Sequence, residues 1–216
     1  MRFVLFDVDG TLVDSQAHIV GSMEAAFASL GLTAPTRDRV LSIVGLSLPQ
    51  AMAELVPGGP VEALVTAYKQ SYQDLRTSHG EAQASPLYAG IKELLHGLHG
   101  EPETLLGVAT GKSKRGLDHV MATHDLARLF ITRQDADGHP SKPHPSMALA
   151  ALREAGLETG VMVGDTTFDM EMGRAAGMAT IAVTWGYHRA ERLAPLADRV
   201  VEDTAALRGA IDEVCR

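Results

Sequence analysis

One cysteine, Cys215, stands in a chain of 216 residues. It rules out an intramolecular disulfide and fits a reducing compartment. Basic side chains are in the minority, 19 Lys and Arg against 27 Asp and Glu for a formal charge of −8, and they form no cluster. That excludes a surface built for nucleic acid or for an acidic membrane. No apolar run approaches the roughly 20 residues needed to span a bilayer. Met1-Arg2 leads directly into a short strand-like run and two acids, which is not a signal-peptide pattern. Repeats and low-complexity segments are lacking as well. A cytoplasmic protein is expected, with no nucleic-acid or membrane partner. With 45% hydrophobic and 21% charged residues, the chain has the composition of a folded domain. Its length allows one good core plus a small appended domain.

Against these absences stands Asp7-Val8-Asp9-Gly10-Thr11, directly after the apolar run Phe3-Val4-Leu5-Phe6. Two carboxylates two positions apart at a strand end share one face of the pleat. Gly10 gives the following turn the freedom to aim both at one spot beyond the sheet edge. One acid there can attack an electrophile while the other moves protons, with a hard divalent cation beside them. An ordinary strand exit, where Asp and Gly are common, is the plainer rival.

Three later segments add weight. Leu105 to Ala109 reads as a buried strand ending in Thr110-Gly111-Lys112; Ser141-Lys142-Pro143-His144-Pro145 precedes a helical pattern; Val161 to Val163 runs into Gly164-Asp165-Thr166-Thr167-Phe168-Asp169. In a parallel sheet every strand delivers its carboxyl end to one edge, so these groups converge. A hydroxyl, an ammonium and several carboxylates suit a phosphoryl group plus a cation.

The set resembles the haloacid dehalogenase superfamily, in its branch of aspartate-nucleophile phosphatases, over essentially the whole chain. Asp9-Gly10-Thr11-Leu12-Val13-Asp14-Ser15 is most similar to the phosphoglycolate-phosphatase-like members, whose helical cap is inserted after the first strand. One departure is Gly111, where such proteins often carry Asn; its N–H could serve in place of that side chain. The resemblance implies Asp7 as the nucleophile and Asp9 as the acid–base, with apolar neighbours such as Leu12 helping Asp9 to hold a proton. It further implies Mg²⁺ held by Asp7, the Asp9 carbonyl and Asp165. Thr110, Gly111 and Lys142 would bind the phosphoryl oxygens. Asp169 is assigned an outer role, on a metal-bound water or on the Lys142 ammonium. Each has a plainer rival: Asp169 as a helix N-terminal acid, Lys142 as a loop lysine, Asp14 as a helix cap with Ser15 as competitor. His139 and His144 fit no tetrahedral zinc spacing and read as loop residues. The methionines read as core filler. Trp185 to His188 is either a lip of the site or packing.

The pattern predicts a doubly wound α/β core, residues 1–14 and 86–216, with an all-helical cap and return linker over 15–85. Within the cap, helices are expected from Ser15 to Gly31 and over Arg37 to Val44, Leu48 to Leu55 and Val61 to Leu75, with Thr77 to Pro86 as the linker. In the core a strand is expected at Leu129 to Ile131. The cap loop Gly45-Leu46-Ser47 is expected over the leaving group. It carries no charge, which favours a hydrolase over a sugar-phosphate mutase, since a mutase must hold a second phosphate. A small phosphorylated metabolite is the expected partner, with 2-phosphoglycolate leading and pyrophosphate or a small sugar phosphate behind. For a substrate carboxylate the candidate donors are Ser47, Lys69 and Arg76. A phosphorylatable receiver domain fails on layout, and an inactive binding member is the remaining non-enzyme reading. Monomer and homodimer are both open.

Overall fold

The run Phe3 to Phe6 lies at the centre of a six-stranded parallel sheet in the computed structural model, which describes residues 1–79 and 85–215. The strands are β1 (Arg2–Phe6), β2 (Thr104–Ala109), β3 (Thr132–Gln134), β4 (Val161–Gly164), β5 (Ala179–Val183) and β6 (Arg199–Val201). Their order is β3-β2-β1-β4-β5-β6. The helices are α1 (Gln16–Ser29), α2 (Arg37–Leu41), α3 (Leu48–Leu55), α4 (Val61–His79), α5 (Ile91–His99), α6 (Lys114–Thr123), α7 (Ser146–Ala155), α8 (Thr167–Ala175), α9 (Ala190–Leu193) and α10 (Thr204–Val214).

Alternation along β1 explains why the sheet is covered on both faces. Val4 and Phe6 pack with Leu95 of α5, Met121 of α6 and Ile211 of α10. Phe3 and Leu5 point the other way, onto Met147 and Ala151 of α7 and Met172 of α8. These four apolar side chains of β1 are fully buried, and burying each contributes roughly 1.5–3 kcal/mol. A one-residue slip would exchange the two sets and swing Asp7 to the wrong face, so packing also sets the aim of the site. The chain reverses direction across the sheet at β1, paired with β2 on one side and β4 on the other. That switch point leaves a crevice outside the carboxyl ends.

Helices α1 to α4 carry their own apolar cluster, including Ile19, Met23, Phe27, Val40, Met52 and Leu64. The two chain crossings that join them to the sheet lie side by side. The Asp14 N–H donates to the Pro86 carbonyl at 2.8 Å, and Val13 bridges Leu87.

Several element bounds differ from expectation. Helix α2 stops at Leu41, because the chain tightens through successive turns to Gly45, whose φ is +104°. Helix α4 continues past Leu75 to His79, and the Thr77 and Ser78 hydroxyls donate to carbonyls one turn back. Thr77 and Ser78 are therefore helical rather than linker, and residues 80–84 of the expected linker lie outside the described residues. The third strand is Thr132–Gln134 rather than Leu129 to Ile131. Leu129 and Phe130 are apolar because they fill the core just before it, a role that mimics a strand in sequence. Short helix α9 was not foreseen; its Leu193 packs on Met170 and Ala182. No helix among the described residues is long and apolar enough to cross a membrane.

Candidate active site

Asp7 follows β1 directly, and its N–H donates to the Val163 carbonyl at 2.9 Å. The β1 register, Phe6 beside both Val108 and Val163, sets it between the ends of β2 and β4. Thr110 leaves β2 at the same edge, fully buried, with its hydroxyl accepting the Lys112 N–H at 3.2 Å. Lys142 reaches in from the loop before α7. Its ammonium lies 2.7 Å from Asp7 Oδ1 and 2.6 Å from Asp169 Oδ1, with all three side chains buried. Burial alone would strip its proton, but Asp169 and Asp7 more than offset that and hold it charged.

Asp169 is both things the sequence allowed. As the third residue of α8 it completes a capping box, accepting the Thr166 N–H and giving its own N–H to the Thr166 hydroxyl. The same Oδ2 also accepts the Thr166 hydroxyl at 2.6 Å, so both carboxylate oxygens are engaged. Asp165 accepts the Thr11 hydroxyl at 2.8 Å and the Tyr187 N–H at 2.8 Å. Gly10, at φ +85°, passes so close that a Cβ there would sit 2.2 Å from Asp165 Oδ2. Only glycine fits that turn.

Asp7, Asp165 and Asp169 each offer an oxygen within 4.8 Å of the others, all buried. Burial pushes Asp7 up to about 7, against the pull of Lys142, and burial with its acidic neighbours pushes Asp165 well above the usual carboxylate range. Asp7 Oδ2 is buried with no hydrogen-bond partner. Three clustered carboxylates, two of them paired to one ammonium and one with an orphaned oxygen, fit a hard divalent cation. Asp165 and Asp169 each accept hydrogen bonds on both carboxylate oxygens, one of those on Asp169 coming from the Lys142 ammonium.

Asp9 faces a different set of groups. Its Oδ1 lies 2.9 Å from the Lys112 ammonium and accepts the Ser15 hydroxyl. Ser15 Oγ is 2.8 Å from the Tyr187 hydroxyl. Lys112 also donates to the Tyr72 hydroxyl at 3.3 Å, from α4, and lies 5.4 Å from that ring's centroid. Leu12, expected beside Asp9, instead packs in the sheet core.

The Gly45-Leu46-Ser47 loop rests on two core loops. The Ser47 N–H donates to Ser141 Oγ at 2.8 Å. A Cβ on Gly111 would stand 2.7 Å from the Gly45 carbonyl oxygen and 2.6 Å from that of Leu46, which explains glycine there in place of a larger residue. His188 ties the same seam, its Nδ1 accepting the Thr167 N–H at 3.0 Å and its Nε2 lying 3.2 Å from the Ser42 carbonyl. A groove of about 840 Å³ opens along this seam, lined by Arg39, Leu46, Ser141, Phe168 and Arg192 among others. None of Asp7, Asp9 and Asp165 lines it, so it flanks the carboxylate centre.

The model of the haloacid dehalogenase-like hydrolases matches residues 4–183. The chain belongs to that family. A probable phosphatase, IndB, of Dickeya dadantii is 35% identical, covering 93% of this chain and 89% of that protein. A phosphoglycolate phosphatase of Haemophilus influenzae is 30% identical, covering 87% of each. A hydrolase from Pseudomonas syringae has the same fold, with a TM-score of 0.86, 23% identity and full coverage of both chains.

Within this haloacid dehalogenase fold, sequence reading passed over Lys112, Ser15, Tyr72 and Tyr187. Lys112 stands two residues after Thr110, a spacing that returns a side chain to the same side of an extended segment. Ser15 occupies the cap position of α1, but its hydroxyl serves Asp9 rather than the helix. Of the three donors named for a substrate carboxylate, Lys69 is solvent-exposed and Arg76 lines a separate small cavity with His18 and His124. The Ser47 N–H is taken by Ser141. The Trp185 indole N–H donates to the Thr11 carbonyl at 3.1 Å, and its ring lies 6.2 Å from that of Tyr88. His139 bridges Gln134 and Ser146 inside its loop.

Proposed function

We propose that the chain is a Mg²⁺-dependent phosphomonoester hydrolase of the cytoplasm, acting on a small phosphorylated metabolite, with 2-phosphoglycolate the leading candidate. Residues 15–85 act as its cap on a core of 1–14 and 86–216. The observation that carries the reading is the buried Asp7 with Lys142 on Oδ1 and nothing on Oδ2. The names of the Dickeya and Haemophilus relatives point the same way.

Asp7 attacks phosphorus, and the bond from phosphorus to the ester oxygen breaks as the aspartyl-phosphate forms. Asp9 gives its proton to the departing alkoxide, then takes one from the water that cleaves the aspartyl-phosphate, releasing inorganic phosphate and free Asp7. Lys142 and Thr110 hold phosphoryl oxygens, and Lys142 offsets charge that builds in transfer. Asp7, Asp165 and the Asp9 carbonyl would hold Mg²⁺, which supplies charge neutralisation to a dianion entering an acidic pocket. Mutase chemistry is disfavoured because Val44 to Pro49 carries no charge.

The test is phosphate release with Mg²⁺ across phosphoglycolate, sugar phosphates, nucleoside monophosphates and pyrophosphate. Phosphoglycolate should give the highest kcat/KM. A rank below nucleoside monophosphates overturns the substrate, and no release from any ester overturns the hydrolase.

A further inference from the structure

We infer that Lys112 and Tyr72 form a two-pronged receptor for an acidic group carried one or two carbons from the phosphate ester, making short O-phospho carboxylic acids the substrate class. The inference rests on the proposed hydrolase reading and deepens it.

Two ammoniums face this centre among the described residues. Lys142 bridges Asp7 and Asp169, at 2.7 and 2.6 Å, which leaves its third donor for the phosphoryl group. Lys112 has a single carboxylate partner, Asp9, and its next contact is a neutral phenol. An ammonium has three donors, so one N–H remains beside those two contacts. Its side chain is 10% exposed. The Tyr72 hydroxyl accepts from Lys112 and keeps its own proton to donate. A carboxylate placed there receives one bond from the core and one from α4 of the cap, both in a poorly hydrated seam where charge-assisted bonds are strong.

The short lever arm follows from distance. Asp9 must reach the ester oxygen, and Lys112 is 2.9 Å from Asp9. A group bound by Lys112 therefore lies on the same side of the centre as that oxygen, a span that a short acid can bridge. Tyr68 stands one turn from Tyr72 on α4, with ring centroids 5.8 Å apart. Because the prongs come from the two sides of the seam, an acidic substrate draws cap and core together where a neutral ester does not.

The experiment compares 2-phosphoglycolate with ethyl phosphate, the same size without the carboxylate, in wild type, Lys112→Met and Tyr72→Phe. The readout is the ratio of kcat/KM for acid over neutral ester. Lys112→Met should lower that ratio roughly 10²-fold, mainly through KM for the acid, as expected for loss of a buried charge partner. Tyr72→Phe keeps the ring and should lower it about 10-fold. An equal loss on both esters means Lys112 serves Asp9 alone, and overturns the inference. A wild-type enzyme with no preference for the acid also overturns it while leaving the hydrolase reading intact. If no ester is turned over, the hydrolase reading has failed by itself. The receptor is then judged by calorimetric binding of the two esters to the same variants in an Asp7→Asn background, where an unchanged affinity ratio overturns it.

Discussion

The Gly111 backbone and the Leu46 carbonyl oxygen approach so closely that a Cβ on Gly111 would lie 2.6 Å from that oxygen. The loop after β2, which carries the phosphate-binding candidates, and the loop before α3, on the proposed cap, thus meet backbone to backbone. Gly111→Ala should push the cap loop away and weaken the Ser47 N–H bond to Ser141, a bond worth about 0.5–1.5 kcal/mol. Amide hydrogen exchange should speed up at residues 43–48. Unchanged exchange there would show that the loop tolerates the methyl and does not rest on Gly111.

Asp7 and Asp9 should fail differently. Asp7→Asn is near-isosteric but cannot form the acyl-phosphate, so turnover should vanish while the fold persists. Retention of a tenth of wild-type activity would refute the covalent route. Asp9→Asn should cost roughly 10²–10⁴-fold on alkyl phosphates. Aryl phosphates have better leaving groups and should lose less in the first step. Equal losses on the two classes would remove Asp9 as the acid.

Burial raises Asp7 to about 7 and Asp165 well above the usual range. Below the ordinary carboxylate pKa both are protonated folded and unfolded, and nothing is lost. As pH rises toward 7 the unfolded chain ionises first, so the metal-free fold is progressively disfavoured. A cation must displace the protons that remain, so its binding weakens as pH falls below about 7. Mg²⁺ should therefore raise Tm more at pH 8 than at pH 5.5. Chelation should abolish activity without unfolding the protein, and Ca²⁺ should bind but support turnover poorly. A Tm increment independent of pH would count against ligation by Asp7 and Asp165.

His188→Ala should loosen the cap seam. Nδ1 is the acceptor for a buried backbone N–H, that of Thr167, and losing such an acceptor costs about 1–3 kcal/mol. At about 2–4 °C per kcal/mol for a chain of this size, Tm should drop by several degrees. The bond toward Ser42 goes with it, so KM should rise more than kcat falls. Calorimetry and steady-state kinetics on the one variant check both; an unchanged Tm would mean that water replaces the imidazole.

Much of this was legible in the chain itself. The run Phe3 to Phe6 before Asp7-Val8-Asp9 already specifies a buried strand that ends in two acids, because strand periodicity and the scarcity of buried charge are local rules. The order of strand-like and helix-like segments likewise implies a parallel sheet, since each crossover must return to the same edge. By the same local logic Asp165 and Lys142 stand out, each beside a strand end or a helix start. The seam is another matter. Tyr72 and Lys112 are 40 residues apart, and Tyr187 and Ser15 are 172 apart. Nothing in either neighbourhood announces the partner. Lys112 looked like the third residue of a turn, and Tyr72 like one more residue of an amphipathic helix. Their meeting depends on how two separately packed apolar clusters, one under the sheet helices and one among α1 to α4, settle against each other. That docking is decided by the sum of many side-chain shapes and by backbone contacts such as Gly111 on Leu46, which short-range periodicity does not encode. The sequence by itself determined the sheet, its edge and the carboxylates along it; the tertiary structure alone decided which cation and which phenols stand over Asp9.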